Sequence, residues 1–157
     1  MKPNYTYKMF QKDISTLVKK IKKSGEKFDY LLAISRGGLV PGVVLSHKLN
    51  IPYLVPITWS SEEHPKILKC YNAWIPQEIS RGKRVLLVDD ILDSGLTIAS
   101  LGEEWIKMCV SNKEVDKNVS VAVLLYNQDL NLMIKPFYGM SFSRRKFRKY
   151  INFWWEK

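Results

Sequence analysis

Cysteine is nearly missing from this 157-residue chain: Cys70 and Cys109 stand far apart and lack metal-ligand spacing. A disulfide framework or zinc site therefore has no basis, and buried or idle thiols are expected. Long apolar runs are missing as well. No stretch approaches the ~18 residues needed to span a bilayer, and Met1-Lys2-Pro3-Asn4 opens onto polar residues rather than a signal-peptide core. A soluble, cytoplasmic protein with no membrane span is expected. Acidic residues are scarce, 15 against 25 basic ones, for a formal charge of +10, which makes an anionic partner plausible. Much of the excess sits in two clusters, Lys19, Lys20, Lys22, Lys23 and Arg144, Arg145, Lys146, Arg148, Lys149. The first reads as a solvated helix face, while the second stays open between an exposed loop and a functional patch. Neither carries a nucleic-acid reading motif, so nucleic acid is a minority expectation. Repeats and low-complexity segments are absent too, which disfavours solenoids and linkers.

What is present is 46% hydrophobic, enough for one core and too short for two comfortable ones, so residues 1–157 are expected to form a single domain. Apolar residues at Phe10, Ile14, Leu17, Val18 and Ile21, with Gly25 as a stop, predict an amphipathic helix over Tyr7–Ser24. Phe28 to Ile34 reads as a strand, Ser35 to Gly38 as a glycine loop, and Leu39 to Leu49 as a helix with Pro41 in its first turn. Tyr53 to Trp59 is a second strand, and the polar stretch Ser60 to Lys66 a mobile surface loop. Ile67 to Ile75 is expected to be a flap strand, Ser80 to Lys83 a turn, and Arg84 to Val88 the third core strand. Thr97 to Met108 reads as a helix, with Ile98, Leu101, Trp105 and Met108 on one face, and Ser120 to Tyr126 as a strand covered on both sides. Strands alternating with helices predict an α/β fold with a parallel, doubly wound sheet. The tail from Phe137 breaks the alternation, and its Tyr150, Phe153, Trp154 and Trp155 either close the core or wall a site.

The chemistry concentrates in VLLVDDILDSGLT, residues 85 to 97. In open α/β sheets ligands bind beyond the carboxyl ends of the strands, where Asp89, Asp90 and the following turn are expected. Adjacent carboxylates on an extended segment point to different sides, so one can hold a vicinal diol such as ribose while the other reaches a metal or a second hydroxyl. The turn into the next helix offers unpaired N–H groups, the hydroxyls of Ser94 and Thr97, and a favourable dipole for a phosphate, with Gly95 allowing close approach. Acids at a strand end and a helix cap are common in any α/β protein, but that reading accounts poorly for the whole run. The Ser35-Arg36-Gly37-Gly38 loop offers amides and a guanidinium at another strand end. Together the two loops suggest a ligand phosphorylated at two ends.

VLLVDDILDSGLT resembles the 5-phosphoribosyl-1-pyrophosphate motif of type I phosphoribosyltransferases. AISRGGLVPG, residues 33 to 42, resembles their pyrophosphate loop, and YINFWWE, residues 150 to 156, the W-I-x-x-P-W-D/E ending of the bacterial xanthine-guanine group. SRGGLVPG occurs in that group unchanged. The resemblance implies a parallel twisted sheet flanked by helices, a small C-terminal hood over about 128–157, and a flexible loop at about 60–66 that closes over the donor. It implies transfer of 5-phosphoribose from phosphoribosyl pyrophosphate to a purine base (guanine, xanthine or hypoxanthine), with Mg2+ and a homo-oligomeric dimer or tetramer. Asp89 and Asp90 would hold the ribose hydroxyls, with Asp90 the metal position. Asp93, Ser94, Gly95, Leu96 and Thr97 would bind the 5′-phosphate, and Ser35, Arg36, Gly37 and Gly38 the pyrophosphate, across a non-proline cis peptide that the family often has. Tyr150 would stack on the purine, Ile151 meet its edge, and Asp93 manage the proton at N7 as the catalytic residue. This chain departs from the pattern at Leu96, at Trp154 for the tail proline, and at Cys70 for an arginine, whose charge Lys69 or the 144–149 cluster would supply. Asn127 stands where the purine enzymes have a lysine for the 6-oxo group, and offers the base one neutral hydrogen bond. A regulatory nucleic-acid-binding protein of the same fold and a transferase with a different acceptor base are the alternatives.

Overall fold

The computed structural model describes residues 4–58, 74–108, 112–132, 135–146 and 150–156. The expected loop at 60–66, Lys69, Cys70 and Cys109 lie outside them. The described elements run in the order β1 (Asn4–Tyr5), α1 (Tyr7–Ser24), β2 (Tyr30–Ser35), α2 (Leu39–Leu49), β3 (Tyr53–Thr58), α3 (Trp74–Ser80), β4 (Val85–Leu92), α4 (Leu96–Met108), α5 (Asn112–Asn118), β5 (Val119–Asn127), β6 (Phe137–Phe142) and β7 (Asn152–Phe153), ending in a 3-10 turn over Trp154–Glu156.

Helix α1 starts because the Thr6 hydroxyl accepts a hydrogen bond from the Met9 amide at 3.3 Å, and stops at Gly25, whose φ of 75° few other residues adopt. Its three- and four-residue apolar spacing buries Phe10, Ile14, Leu17 and Ile21, each contributing about 1.5–3 kcal/mol. Strands β2 to β6 form one parallel sheet in the order β3-β2-β4-β5-β6. The two-residue alternation divides its side chains between two cores. Leu31, Ala33, Leu86, Val88, Ala122 and Leu124 pack with residues of α1 and α2. Leu32, Ile34, Val85, Leu87, Val121 and Val123 pack with Ile75, Ile79, Leu101, Trp105 and Val115 from α3, α4 and α5. The result is the expected three-layer α/β arrangement.

Several expectations need correction. The third core strand does not stop at Val88: β4 continues to Leu92, because its pairing with β5 runs on to Leu92↔Tyr126 while its pairing with β2 ends at Ala33↔Val88. Asp89 and Asp90 are therefore inside the strand, paired on one side only, where β2 and β4 part. The flap strand expected to end at Ile75 is contradicted where it can be seen, since Trp74 and Ile75 open α3. Pro76 suits a first helical turn, and Ile75 and Ile79, four apart, share a buried face. The tail does interrupt the strand-helix alternation, yet Phe137–Phe142 still adds a fifth parallel strand, with no helix among the described residues between β5 and β6. Beyond it, β7 pairs with β1, and Phe153 and Trp155 pack around the Tyr5 ring at centroid distances of 5.1 and 6.1 Å. Those aromatics close the core.

Candidate functional site

The strand order leaves β2 with β3 on one side and β4 on the other, so connections leave in opposite directions and a crevice opens between the carboxyl ends of β2 and β4. The Ser35–Gly38 loop ends β2 and the acid pair lies on the last half of β4. Alternation puts Asp90 on the same side as Leu86 and Val88, toward α1 and α2, and Asp89 on the side of Leu87. The loop and the acids touch. A Cβ built on Gly37 would fall 2.2 Å from Asp90 Oδ2, so only glycine lets the loop seat against that carboxylate. Ser35–Arg36 is a cis peptide, and Arg36 is exposed.

Burial dominates the acid pair. Asp90 is 8% exposed, and loss of water pushes its carboxyl up to about 6, against the lowering influence of the Ile91 amide; the charge of Glu156 adds to the rise. Asp89 is raised well above the ordinary carboxylate range, first by burial and then by the charge of Asp90. One Asp89 oxygen accepts the Asp90 amide at 2.9 Å.

Downstream, Asp93-Ser94-Gly95 forms the turn into α4. Gly95 has φ 80°, a left-handed conformation that favours glycine, and its carbonyl accepts the Ala99 amide at 2.9 Å. Ser94 Oγ accepts the Leu96 amide at 3.3 Å. Helix α4 starts at Leu96, one residue before the expected Thr97, and Leu96 is 65% exposed at its first turn.

Opposite this turn the structure builds something the motifs did not mark. Asn127, at the end of β5, is 4% exposed. Its amide donates to the Asp93 carbonyl at 2.9 Å and accepts from the amides of Asp129 at 3.1 Å and Arg144 at 3.4 Å. Read from sequence as a donor to a base, Asn127 is instead turned into the protein. The Asp129 carboxylate accepts from the Ser143 hydroxyl at 2.8 and 2.9 Å and from the Arg145 amide at 3.0 Å, and that amide, ahead of other contacts, holds its carboxyl below the usual range. The laced turn aims Arg144 back across the site: Nε and Nη2 donate to Asp93 Oδ1 and Oδ2 at 2.6 and 2.5 Å, and the guanidinium carbon lies 5.2 Å from the Phe142 ring centroid. Of the second basic cluster, Arg144 is thus engaged, whereas Arg145 and Lys146 are exposed. In the first, Lys20 donates to the Tyr138 carbonyl at 2.8 Å, while Lys19, Lys22 and Lys23 are exposed.

Tyr150 is 61% exposed, and Ile151 packs on the α1-side core. The Tyr150 hydroxyl is raised by the charge of Glu156, then by burial and the charge of Asp90, so the tail brings an aromatic ring and a carboxylate into the field of the acid pair. Sequence reasoning missed Arg144 as an individual, Asp129, Ser143 and Glu156. The basic run was a signal for the first, but nothing local ties Asp129 to residues 14 positions away.

Residues 5–141 match the family described as the phosphoribosyl transferase domain. The chain belongs to the phosphoribosyltransferase family. It is similar to the xanthine-guanine phosphoribosyltransferase of Vibrio parahaemolyticus serotype O3:K6 (strain RIMD 2210633), 37% identical over 82 residues that make up 52% of each chain. The corresponding protein of Vibrio vulnificus (strain YJ016) is 39% identical over 75 residues, 48% of this chain and 47% of that one. The chain spans about half the length of the curated relatives it matches. Among solved structures, the purine phosphoribosyltransferase of Pyrococcus horikoshii Ot3 aligns with a TM-score of 0.69 and 25% identity over 99% of this chain and 94% of that one. A protein of Neisseria gonorrhoeae with bound ppGpp gives 0.69 and 26%, over 100% and 91%. Fold and family thus agree with the phosphoribosyltransferase resemblance of the motifs.

Proposed function

We propose that this phosphoribosyltransferase-family chain transfers 5-phosphoribose from phosphoribosyl pyrophosphate to a purine base (guanine, xanthine or hypoxanthine), forming the nucleoside monophosphate and pyrophosphate. The observation that carries the reading is the junction of the two loops across the β2/β4 crevice, where Gly37 seats on Asp90 and the Asp93–Thr97 turn follows directly after the same strand. A ligand bearing a diol between two phosphate groups suits that layout.

Breaking the ribose C1–oxygen bond leaves positive charge on the sugar and negative charge on departing pyrophosphate. Arg36 and the amides of the 35–38 loop hold the leaving group, and Asp89 and Asp90 take the ribose hydroxyls. The Ser94–Thr97 turn fixes the 5′-phosphate, and Tyr150 and Ile151 hold the base. Asp93 receives the proton that the base loses at N7, so the chain contributes positioning, charge and one proton acceptor. The residues also fit magnesium. No group of three or more His, Cys, Asp or Glu ligands gathers among the described residues, but this ion is usually held by one or two carboxylates and completed by water and substrate phosphates. Asp90, with the half-buried Asp89 beside it, would hold it, and the burial of Asp90 next to a second acid gives a dication something to relieve. When bound, it supplies charge neutralisation at the pyrophosphate.

A homo-oligomer, dimer or tetramer, and a cytoplasmic role in purine salvage belong to the same reading. No described helix is long and apolar enough to cross a membrane. The test is nucleotide formation by the purified chain with Mg2+, phosphoribosyl pyrophosphate and each of the three bases. Nucleoside monophosphate from at least one is expected, and none from all three would overturn the proposal.

A further inference from the structure

We infer that Tyr5 and Asp13 are positioning residues for the acceptor: the hydroxyl–carboxylate bond between them sets where the tail presents Tyr150 and Ile151. The inference rests on the purine-transfer reading above, which gives those two residues to the base, and concerns what holds them in place.

Strand β7 belongs to a separate two-stranded sheet with β1, in the register Asn4↔Asn152 and Tyr5↔Phe153, rather than to the five-stranded sheet that carries the acids. The place of residues 150 and 151, immediately before it, therefore follows the place of β1. Two ladder pairs fix a register weakly, and a one-residue slip would turn every side chain of the strand to its other face. Packing does not make up for this. A largely apolar cavity of about 230 Å³ is walled by Tyr5, Met9, Leu125, Met140, Phe142 and Ile151. Atoms that face such a space have no partner on that side, so apolar contact alone leaves the tail loosely set against β5 and β6.

A directional bond supplies what packing does not. The Tyr5 hydroxyl donates to Asp13 Oδ2 at 2.7 Å, and both residues are buried, at 1% and 4% exposed. Asp13 in turn is seated on the main sheet, because Gly139 of β6 leaves room for it where an added Cβ would collide with the Asp13 Cβ. The bond thus ties β1 to the five-stranded sheet by way of α1. Burial, then the contact with Asp13, pushes the Tyr5 hydroxyl up, so it keeps its proton and remains the donor. Burial also pushes the Asp13 carboxyl up, against the bond from Tyr5 and the charges of Lys12 and Lys20. Replacing both members of such a pair by apolar groups of similar shape is nearly neutral for stability; what the pair adds is one arrangement in place of several. From Tyr5 the effect passes along the tail, since the Phe153 ring lies against the Tyr5 ring and the Phe153 amide donates to Glu156 at 3.0 Å.

The experiment compares wild type with the double variant Tyr5→Phe, Asp13→Leu, which removes both polar groups at once, and with Asp13→Asn. Hydrogen exchange is read on residues 150–156 and on β4, and steady-state kinetics vary the base and the donor. The double variant should unfold near the wild-type temperature, yet its tail should exchange about tenfold faster or more while β4 is unchanged. Its KM for the base should rise about fivefold or more, with kcat and the KM for phosphoribosyl pyrophosphate within about twofold, as loss of uniform binding requires. Asp13→Asn, which keeps an acceptor for the hydroxyl, should hold the base KM within about twofold of wild type. A base KM unchanged in the double variant, base and donor affected equally, or tail exchange equal to wild type would show the pair to be a core contact only and overturn the inference. If the double variant fails to fold, Tyr5→Phe alone replaces it with the same expectations. Wild type that forms no nucleotide from any of the three bases removes the purine reading, and tail exchange then decides alone whether the pair places the tail.

Discussion

Under the proposed reading, the donor side and the acceptor side of this site are built by different means. On the donor side, two loops follow strands β2 and β4, and the proposed contacts are backbone amides, glycines and two adjacent carboxylates, Asp90 buried and Asp89 half-buried. On the acceptor side, Asp93, Asn127, Asp129, Ser143 and Arg144 come from three separate segments at or after the ends of β4, β5 and β6 and are joined by side-chain hydrogen bonds. The first kind of site is fixed by the sheet and leaves little room for variation. The second is fixed by a lace of polar contacts, so its specificity can change with a few substitutions while the donor loops stay as they are.

The largest test of that contrast is at the residue both sides share. Asp93→Asn keeps the shape of the Asp93–Thr97 turn but removes the proposed proton acceptor and half of the ion pair with Arg144. Turnover should fall by about a hundredfold or more, with the KM for phosphoribosyl pyrophosphate changed less than about threefold. Steady-state kinetics with both substrates varied would check it, and an equal loss on both sides would mean that Asp93 serves the donor. Gly37→Ala should do the reverse. Its added methyl cannot coexist with the Asp90 carboxylate at 2.2 Å, so either the loop or the strand must shift, at about 1–3 kcal/mol. Calorimetry should show donor affinity lowered by about tenfold or more, and binding of the base to the surviving complex less affected.

The contrast also explains what could be read in advance. The three-layer fold, α1, α2 and the turn at Gly95 were legible because each is signalled locally: apolar residues at helical spacing in Phe10 to Ile21, continuous apolar strands, and a glycine where φ must be positive. The extent of β4 was not, since whether Asp89 and Asp90 count as strand depends on β5 remaining paired beside them after β2 has parted. Strands β1 and β7, two residues each, carry no period at all, and α5 buries only Val115 and the polar Asn118 among its described side chains, too little for a helical stripe. Asn127 and Arg144 were noticed, one as a departure from a family pattern and one as part of a basic run. Their roles were illegible because the bonds to Asp93 and to each other span 17 or more residues, and sequence spacing says nothing about such pairs.

Titration separates the sides further. Asp90 is raised to about 6 in the folded chain, and an exposed aspartate in the unfolded chain titrates near 3.9. Between those values the folded state binds more protons than the unfolded, so stability contributed by the protonated carboxyl is present below about pH 4 and is lost as pH rises through about 6. The loss is on the order of 2–3 kcal/mol for a shift of that size. Asp89, raised in the same direction, extends the window upward. Denaturation midpoints measured from pH 4 to 8 should therefore decline across this range for wild type and decline less for Asp90→Asn. Added Mg2+ with the donor should restore stability most at the alkaline end, where both groups must ionise. A flat profile would show that burial does not control the pair.

The smallest expected effect is at Asn127, and it decides whether the acceptor side is a lace or merely a set of neighbours. Asn127→Ala removes the donor to the Asp93 carbonyl and the acceptor for the amides of Asp129 and Arg144, at a position 4% exposed. Leaving such groups unpaired costs about 1–3 kcal/mol, a fall in melting temperature of roughly 2–4 °C per kcal/mol for a domain of this size. Because the Asp129 bonds to Ser143 and Arg145 survive, Arg144 should be loosened rather than lost, raising the KM for the base a few-fold with the donor KM unchanged. Asn127→Lys should be worse than Asn127→Ala, since an ammonium would have to enter the same enclosed space beside Arg144. A lysine that instead improved 6-oxopurine use without loss of stability would mean that position 127 meets the base, and that the inward-turned amide is not what holds the acceptor side together.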